Sequence, residues 1–155
     1  MKVSSNFSLK ELTASDTAER LDIDNSPNDE QIMSLAVLAN RVLQPVRDQF
    51  GVVTITSGLR SQALNEAVKG SKTSSHCRGE AADFECFKVS NIELAKWVRA
   101  TLDYDQLMLE FYRKGDPHSG WVHCSFKRDG SNRKQDLTAL KGKGGIEYLE
   151  GITDG

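Results

Sequence analysis

The sequence predicts an α+β fold in which helices pack on a mostly antiparallel β-sheet. Helical periodicity dominates the first third of the chain, and shorter segments with strand character follow it. The gaps between the later segments are short enough for hairpin connections. The chain has 155 residues, a length that suits one compact domain, so we expect a single domain over residues 1–155.

The first helices are predicted from a cap and from apolar spacing. The pattern Ser8-x-x-Glu11 is a capping box and predicts a short opening helix. Apolar residues then recur at helical intervals over residues 28–50, which predicts one long helix. Pro45 lies inside this pattern and should kink the helix near Arg41 or split it, because proline lacks a backbone donor.

Strands and shorter helices alternate in the rest of the chain. Segments of β-branched or alternating apolar residues indicate strands over residues 52–57, 81–86, 106–112, 121–126 and 133–140. Serine caps indicate two helices, over residues 61–68 and 90–102. The glycine-rich tail after residue 140 predicts no definite element.

The composition excludes several classes of function. A net charge of −2 provides neither a basic footprint for nucleic acid nor a cationic surface for an anionic envelope. No apolar run approaches the roughly 18 residues that a membrane span needs, and residues 1–12 do not resemble a signal peptide. We therefore expect a protein made in the cytoplasm without a signal peptide, with no nucleic-acid partner and no membrane insertion.

The sharpest chemical signal lies in residues 75–83. His76 offers an imidazole nitrogen and Asp83 a carboxylate oxygen, which are good zinc ligands, and Gly79 lets the backbone turn between them. His123 follows in a later strand. Three protein ligands with one open position are typical of a catalytic zinc site. Zinc polarises a carbonyl and lowers the pKa of water, so hydrolysis would still need a carboxylate base. The alternative is a capped turn with a satisfied histidine.

Strand alternation can bring these ligands together. In residues 81–86 the odd-numbered positions share a face with Asp83, and in residues 121–126 they share a face with His123. The even-numbered positions then face the core. Two strands can therefore each present one ligand to a common cleft.

The motifs resemble those of the zinc D-Ala-D-Ala carboxypeptidases and L-Ala-D-Glu endopeptidases that cut the stem peptides of peptidoglycan. The matching positions are Ser75, His76, Gly79, Ala81, Asp83, Trp121 and His123, with Asn65, Val68 and residues 7–12, 42–47 and 56–61 upstream. The resemblance spans most of the chain and is weakest after residue 140. It implies helices on one face of an antiparallel sheet, as in the zinc-bearing domain of hedgehog proteins.

The resemblance implies a role for each matching residue. His76, Asp83 and His123 would bind Zn²⁺. Arg60 matches an arginine near the substrate carboxylate or the developing oxyanion, where a guanidinium stabilises negative charge. Ser75 would orient its loop or contact substrate. The alternatives are a surface turn residue for Arg60 and a turn cap for Ser75.

One departure concerns the catalytic base. Many members of the family place a glutamate three residues before the last histidine, where this chain has Gly120. The best substitute is Glu110, because alternation puts it on the face opposite Leu107, Leu109 and Phe111, and a neighbouring antiparallel strand could bring it beside His123. The alternative is an exposed strand carboxylate. Glu85 and Asp116 are the fallback candidates.

Other residues near the motifs have weaker interpretations. His118, in the loop before Gly120, is expected at the rim of the cleft as a substrate-side residue or a plain loop histidine. The odd number of cysteines, Cys77, Cys86 and Cys124, argues against a disulfide scaffold and favours small buried hydrophobes. A closed His/Cys zinc site is conceivable but disfavoured, because alternation turns Cys124 away from the ligand face. Trp121 should brace the metal loop rather than stack on a glycan.

The leading hypothesis is a monomeric peptidoglycan peptidase, with the stem peptide as substrate and Glu110 as general base. A phage lysis enzyme that acts on the cell wall after release fits the small size, the missing signal and the cysteines, and a wall-remodelling enzyme fits almost as well. We expect no separate wall-binding module, which favours a thin, accessible wall as the target. The rival hypothesis is a non-catalytic, zinc-stabilised binding or phage structural module of the same fold, which Gly120 supports.

Overall fold

The computed structural model describes residues 1–154. The helical elements are α1 Leu9–Thr13, α2 Asp16–Arg20, α3 Asp29–Leu38, a π-helical segment Ala39–Leu43, α4 Gln44–Phe50, α5 Gln62–Ala67, a 3₁₀ turn Ser75–Arg78 and α6 Asn91–Thr101. The strands are β1 Val53–Ser57, β2 Ala81–Cys86, β3 Gln106–Glu110, β4 Trp121–Ser125, β5 Gln135–Gly142 and β6 Gly145–Glu150.

Within residues 1–154 the strands form a six-stranded sheet in the order β1-β2-β4-β3-β5-β6. Neighbouring strands run antiparallel, except that β3 and β5 are parallel. This architecture confirms the predicted α+β class with a mostly antiparallel sheet. It also places β2, β4 and β3 side by side in the middle of the sheet, and these strands carry the candidate site.

The helix that contains Pro45 changes its hydrogen bonding just before that residue. In the π-helical segment Ala39–Leu43, the N–H of Gln44 donates to the carbonyl of Ala39, five residues back. Pro45 has no N–H to offer the carbonyl of Arg41, and the wider turn accommodates this missing bond. The disturbance expected near Arg41 is therefore confirmed, and it takes the form of a π-helical segment.

Three serine caps predicted from the sequence are present. The hydroxyl groups of Ser8, Ser61 and Ser90 each accept a backbone N–H three residues on, at 3.1, 3.2 and 3.2 Å. These bonds satisfy donors that the first turn of a helix leaves unpaired. Within residues 1–154, no helix combines the length and the apolar character needed to cross a membrane.

The core lies between the helices and one face of the sheet, where α6 packs on β2, β3 and β4. The strand residues that face it are fully buried and alternate along each strand; they are Ala82, Phe84, Cys86, Leu107, Leu109, Val122 and Cys124. This alternation confirms the faces predicted for β2 and β4. The residues between them point to the opposite face, which holds the candidate site.

Some features differ from the sequence prediction. Neither α2 nor β6 was predicted, and β3 ends at Glu110 rather than at residue 112. Phe111 was expected to face the core, and this was wrong. Its φ of 60° turns the chain away from the strand, and its ring instead lies 5.5 Å from that of Trp121.

Candidate metal centre

His76 lies in the tight 3₁₀ turn that leads into β2. The hydroxyl of Ser74, not that of Ser75, caps this turn by accepting the N–H of His76 at 3.2 Å. Gly79 ends the turn with a φ of 71°, and a Cβ there would lie 2.8 Å from the carbonyl oxygen of Gln31. Only glycine fits this backbone without displacing its neighbour, so the turn holds His76 in one place.

The imidazole of His76 is oriented by the backbone of the residue that follows β1. Its Nδ1 lies 2.8 Å from the carbonyl oxygen of Gly58, which can only accept a hydrogen bond. The proton therefore resides on Nδ1, and the lone pair of Nε2 is directed into the site, 3.3 Å from Asp83 Oδ1. A histidine that binds a metal usually makes this kind of second hydrogen bond.

Asp83 and His123 are brought together by the pairing of β2 with β4. The two residues are direct partners in the antiparallel register, and His123 Nδ1 lies 3.0 Å from Asp83 Oδ1. Together with His76 they are buried, with exposed fractions of 4, 5 and 7% in chain order. One ligand atom from each residue lies within 4.8 Å of the others. Two imidazoles and one carboxylate at this spacing fit a zinc ion with one position left open.

The carboxylate of Asp83 keeps its charge in this buried place. Burial would raise the pKa of Asp83, but the hydrogen bond from His123 and the proximity of His76 outweigh it and hold that pKa well below its usual range. Burial would lower the pKa of His123, but the hydrogen bond with Asp83 and its charge raise it above the ordinary value. A buried anion needs a positive partner, and either an imidazolium or a metal ion can fill that role.

These residues line a cavity of about 380 Å³, which we call the central cavity. Of the residues predicted for the site, it contains the three metal-binding candidates together with Arg60, Ser75 and Glu110. The candidate metal centre, the carboxylate of Glu110 and the guanidinium of Arg60 therefore lie in the same cavity.

Glu110 ends β3, directly opposite Trp121 of β4. Its Oε2 accepts a hydrogen bond of 2.7 Å from the indole N–H of Trp121. Burial and the charge of Asp83 raise the pKa of Glu110 above its usual value, although His123 and Trp121 oppose this. A held carboxylate with a raised pKa, beside a metal centre, has the properties of a general base.

Gly120 cannot be replaced by a larger residue in this backbone. It has a φ of 62°, and a Cβ built on it would lie 1.9 Å from the carbonyl oxygen of Glu110. The glutamate that the family resemblance implies at this position is therefore excluded by β3 itself. The same close approach holds Glu110 beside β4.

Arg60 reaches the cavity from the segment after β1. Its Nε donates to Ser57 Oγ at 3.3 Å and its Nη1 to Asn65 Oδ1 at 3.5 Å, while its Nη2 lies 3.6 Å from Asp83 Oδ2. These contacts are long for hydrogen bonds, so the guanidinium can exchange them for a closer anion. The backbone N–H of Arg60 also donates to the carbonyl of His76, at 3.1 Å.

Other candidates from the sequence lie elsewhere. His118 is exposed, and its ring stacks on that of Phe87 with the centroids 5.8 Å apart. Asp116 pairs with Arg113 at 2.7 Å on the surface. Neither these residues nor Glu85 are among the described residues that line the central cavity. The structure therefore does not bring His118, Asp116 or Glu85 to the site.

The cysteines do not form a second set of ligands. Cys86 and Cys124 are buried, and Cys77 is partly buried. Burial raises the pKa of the Cys86 thiol to about 11 and moves that of Cys124 in the same direction. Within residues 1–154, the His/Cys/Asp/Glu group close enough to hold a metal is the one formed by His76, Asp83 and His123. A closed His/Cys site has no support.

Sequence reasoning missed several residues of the site. The bond from Trp121 to Glu110 could have been found by aligning the two strands, because the residues are register partners. The carbonyl of Gly58 carries no side-chain signal. Arg133 also lines the cavity, where Asp105 holds its guanidinium through two bonds of 2.9 Å.

Comparison with known proteins agrees with the geometry. A model of the protein family described as Peptidase M15 matches residues 5–125. The matched region contains the three metal-binding candidates, together with Arg60 and Glu110. No curated protein matches the chain.

Proposed function

Because the chain belongs to the peptidase M15 family, we propose that it is a zinc-dependent peptidase that hydrolyses an amide bond in the stem peptide of peptidoglycan. Two types of activity fit, that of a D-Ala-D-Ala carboxypeptidase and that of an L-Ala-D-Glu endopeptidase. The proposal is carried by one observation, the buried group of His76, Asp83 and His123 in a cavity that Glu110 and Arg60 also line.

His76, Asp83 and His123 are the proposed zinc ligands. Because Nδ1 of His76 is bonded to Gly58, its Nε2 is the atom that would bind the metal. From the other two ligands, the atoms nearest to each other are Nδ1 of His123 and Oδ1 of Asp83. When bound, zinc supplies a Lewis acid that polarises a carbonyl and lowers the pKa of water. The ligand set leaves a fourth position for substrate or water.

Glu110 is the proposed general base. Its carboxylate removes a proton from the attacking water and later delivers that proton to the leaving amine. The indole of Trp121 fixes one carboxylate oxygen, so the group enters the reaction already oriented. Burial raises the pKa of Glu110, which makes the carboxylate a stronger acceptor of protons than an exposed glutamate.

Arg60 is proposed to stabilise negative charge, either on the carbonyl oxygen as the water adds or on a carboxylate of the substrate. Its guanidinium is about one-fifth exposed and faces the cavity. Ser75, which also lines the cavity, is proposed to contact the substrate beside His76.

Replacing Glu110 by Gln tests the catalytic proposal. Glu110→Gln keeps the size of the side chain and an oxygen that can accept the Trp121 hydrogen bond, but it removes the base. We expect the release of new amino termini from purified peptidoglycan to fall by about 10²-fold or more, while the zinc content stays at one ion per chain.

Glu85→Gln is the matched control, because Glu85 is a strand carboxylate that does not line the described central cavity. It should keep wild-type activity. Equal activity of wild type and Glu110→Gln would refute the assignment of the base. A wild-type protein that holds zinc but releases no new termini would favour the rival hypothesis of a non-catalytic binding module.

We further propose that the enzyme serves cell lysis or wall remodelling, two roles that hydrolysis of the stem peptide can fill. Added protein should reduce the turbidity of cells whose outer membrane has been permeabilised. Unchanged turbidity, together with rapid cleavage of purified peptidoglycan, would argue against lysis and for a narrower role in remodelling.

A further inference from the structure

A second groove, of about 690 Å³, shares Trp121 with the central cavity. Three aromatic residues line it, namely Phe111, Tyr112 and Trp121. The groove, which we call the aromatic groove, is also lined by polar residues, among them Arg113, Lys141 and Asp154. Its volume is in the range of sites that bind small molecules. None of the steps proposed for hydrolysis uses it.

Phe111 is held in the aromatic groove by an unusual backbone conformation. A φ of 60° is uncommon for a bulky residue, and here it takes the ring out of the core and places it 5.5 Å from the ring of Trp121. The N–H of Phe111 donates to the carbonyl of Ala139 at 2.9 Å, which fixes this turn. Strained residues of this kind cluster at sites that bind ligands.

We propose that the aromatic groove binds a pyranose ring of the glycan strand that carries the stem peptide. This inference rests on the proposed function. A pyranose has a flat C–H face, which packs on aromatic rings, and a rim of hydroxyl and acetamido groups, which needs hydrogen-bonding partners. The groove supplies both, through its aromatic walls and through Arg113, Lys141 and Asp154.

A sugar in this groove selects the bond that is cut. Trp121 lines the groove and its indole also donates to Glu110 at 2.7 Å, so the sugar site and the proposed general base share one residue. The L-Ala–D-Glu bond is one residue from the lactyl group of the sugar. The D-Ala–D-Ala bond is three residues farther, about 10 Å in an extended chain. Because the groove adjoins the central cavity through Trp121, the nearer bond is the expected site of cleavage. Hydrolysis at L-Ala–D-Glu adds water across that amide and leaves a carboxylate on L-Ala and an amine on D-Glu.

Tryptophan fluorescence tests the sugar site without requiring catalysis. The chain has two tryptophans, and Trp97 packs edge-on against Phe50 in another part of the fold. In a zinc-loaded Trp97→Phe protein, titration with the disaccharide of N-acetylglucosamine and N-acetylmuramic acid should change the emission of Trp121 in a saturable way. Emission that stays constant across the titration would overturn the proposal.

Phe111→Asn removes the aromatic wall with little risk to folding, because asparagine tolerates a positive φ. We expect it to weaken binding of the disaccharide about fivefold, the loss typical of one aromatic contact. Phe87→Ala, which removes a ring that is 86% exposed outside the groove, should leave binding unchanged. Equal binding by wild type and Phe111→Asn would contradict the groove as the site.

Hydrolysis provides the second measurement. The value of kcat/KM should be about tenfold higher for a stem peptide attached to the disaccharide than for the free peptide. Phe111→Asn should remove most of this preference by raising the KM of the disaccharide-linked peptide. Mass spectrometry should find L-Ala retained on the glycan. Release of D-Ala alone, or equal kcat/KM for both substrates, would refute the inference while leaving the peptidase proposal intact. If nothing is hydrolysed but the disaccharide binds, the peptidase proposal fails and the sugar site stands.

Discussion

Gly120 and Glu110 together determine where the proposed general base lies. The positive φ of Gly120 and its contact with the carbonyl of Glu110 exclude any side chain at residue 120. The proposed base therefore comes from the neighbouring strand, where Trp121 holds its carboxylate. Backbone geometry thus explains why residue 120 is a glycine and not the glutamate that the family resemblance implies there.

Gly120→Ala tests whether the absence of a side chain at residue 120 determines the position of Glu110. The new Cβ would overlap the carbonyl of Glu110, so β3 and β4 must separate or distort. We expect the free energy of unfolding to fall by about 2 kcal/mol or more and peptidase activity to fall at least tenfold. Chemical denaturation and kcat/KM measure the two effects.

Gly144→Ala is the matched control for this substitution. A Cβ at Gly144 meets nothing within 4 Å, and the residue has no positive φ. It should change stability by less than about 0.5 kcal/mol and leave activity unchanged. If Gly120→Ala behaves in the same way, the proposed link between Gly120 and the position of Glu110 is wrong.

The strands and the face that each presents could be predicted from the sequence, and together with the family resemblance they identified the candidate metal centre. Alternation in β2 and β4 put Asp83 and His123 on one face, and their register made them direct partners. A period of two along a half-buried strand reports a side chain's face without knowledge of the tertiary fold. Strand order and pairing direction were harder to predict from the sequence. The parallel pairing of β3 with β5, for example, depends on contacts between residues that are far apart in the chain.

Two departures have local causes that the sequence only hints at. Pro45 predicted that the helix would be disturbed near it. Whether the helix kinks or forms a π-helical turn depends on how the flanking turns pack, which the sequence does not show. Phe111 continues the apolar alternation of β3 yet leaves the strand, because its backbone adopts a positive φ that no sequence pattern marks for phenylalanine. Propensity and periodicity describe ordinary backbone and fail where it is strained.

The start of α6 is tied to the turn that precedes β4. The buried side-chain amide of Asn91 donates to the carbonyls of Ser119 and Gly120, at 3.0 and 3.2 Å. The N–H of Asn91 donates to the carbonyl of Pro117 at 2.8 Å. This helix end therefore fixes the turn from which Trp121 and His123 emerge.

Asn91→Ala should loosen that turn. It leaves two carbonyls without their donor, which we expect to cost about 1–3 kcal/mol of stability and to lower kcat/KM as well. Ser90→Ala, which removes only the cap of the same helix, should cost about 1 kcal/mol without affecting kcat/KM under folded conditions. Equal catalytic effects of the two substitutions would show that Asn91 acts only through the stability of the helix.

At the level of the whole molecule, an ion pair with a buried carboxylate joins the residue before β3 to the later part of the chain. Asp105 is 3% exposed and accepts bonds from the guanidinium and the backbone N–H of Arg133. Burial would raise the pKa of Asp105, but the hydrogen bonds and charge of Arg133 lower it below the usual value. The pair also sits at the central cavity, so it couples the stability of the fold to the shape of the site.

The lowered pKa of Asp105 predicts how stability depends on pH. A carboxyl whose pKa is lower in the folded than in the unfolded state stabilises the fold above its unfolded pKa of about 3.9 and loses that contribution as pH falls through the folded pKa. Asp105→Asn should therefore be clearly less stable than wild type at pH 7, and the difference should shrink below about pH 3. Urea denaturation at both pH values measures it.

Glu93→Gln provides the comparison for this prediction. Glu93 forms an exposed pair with Lys96 at 3.8 Å, so its loss should change stability by less than about 0.5 kcal/mol at pH 7. A difference between Asp105→Asn and wild type that stays constant down to pH 2 would show that the loss comes from packing rather than from charge.

The most direct test of the central claim is the dependence of hydrolysis on zinc, measured as new amino termini released from purified peptidoglycan by one preparation before chelation, after it, and after zinc is restored. If His76, Asp83 and His123 hold the metal that the reaction needs, release should stop when zinc is removed. It should return to its first rate when one zinc equivalent per chain is added back. His123→Ala should remain inactive at that zinc concentration. Hydrolysis that continues at its first rate in protein shown to contain no zinc would contradict the assignment of this site as the catalytic centre.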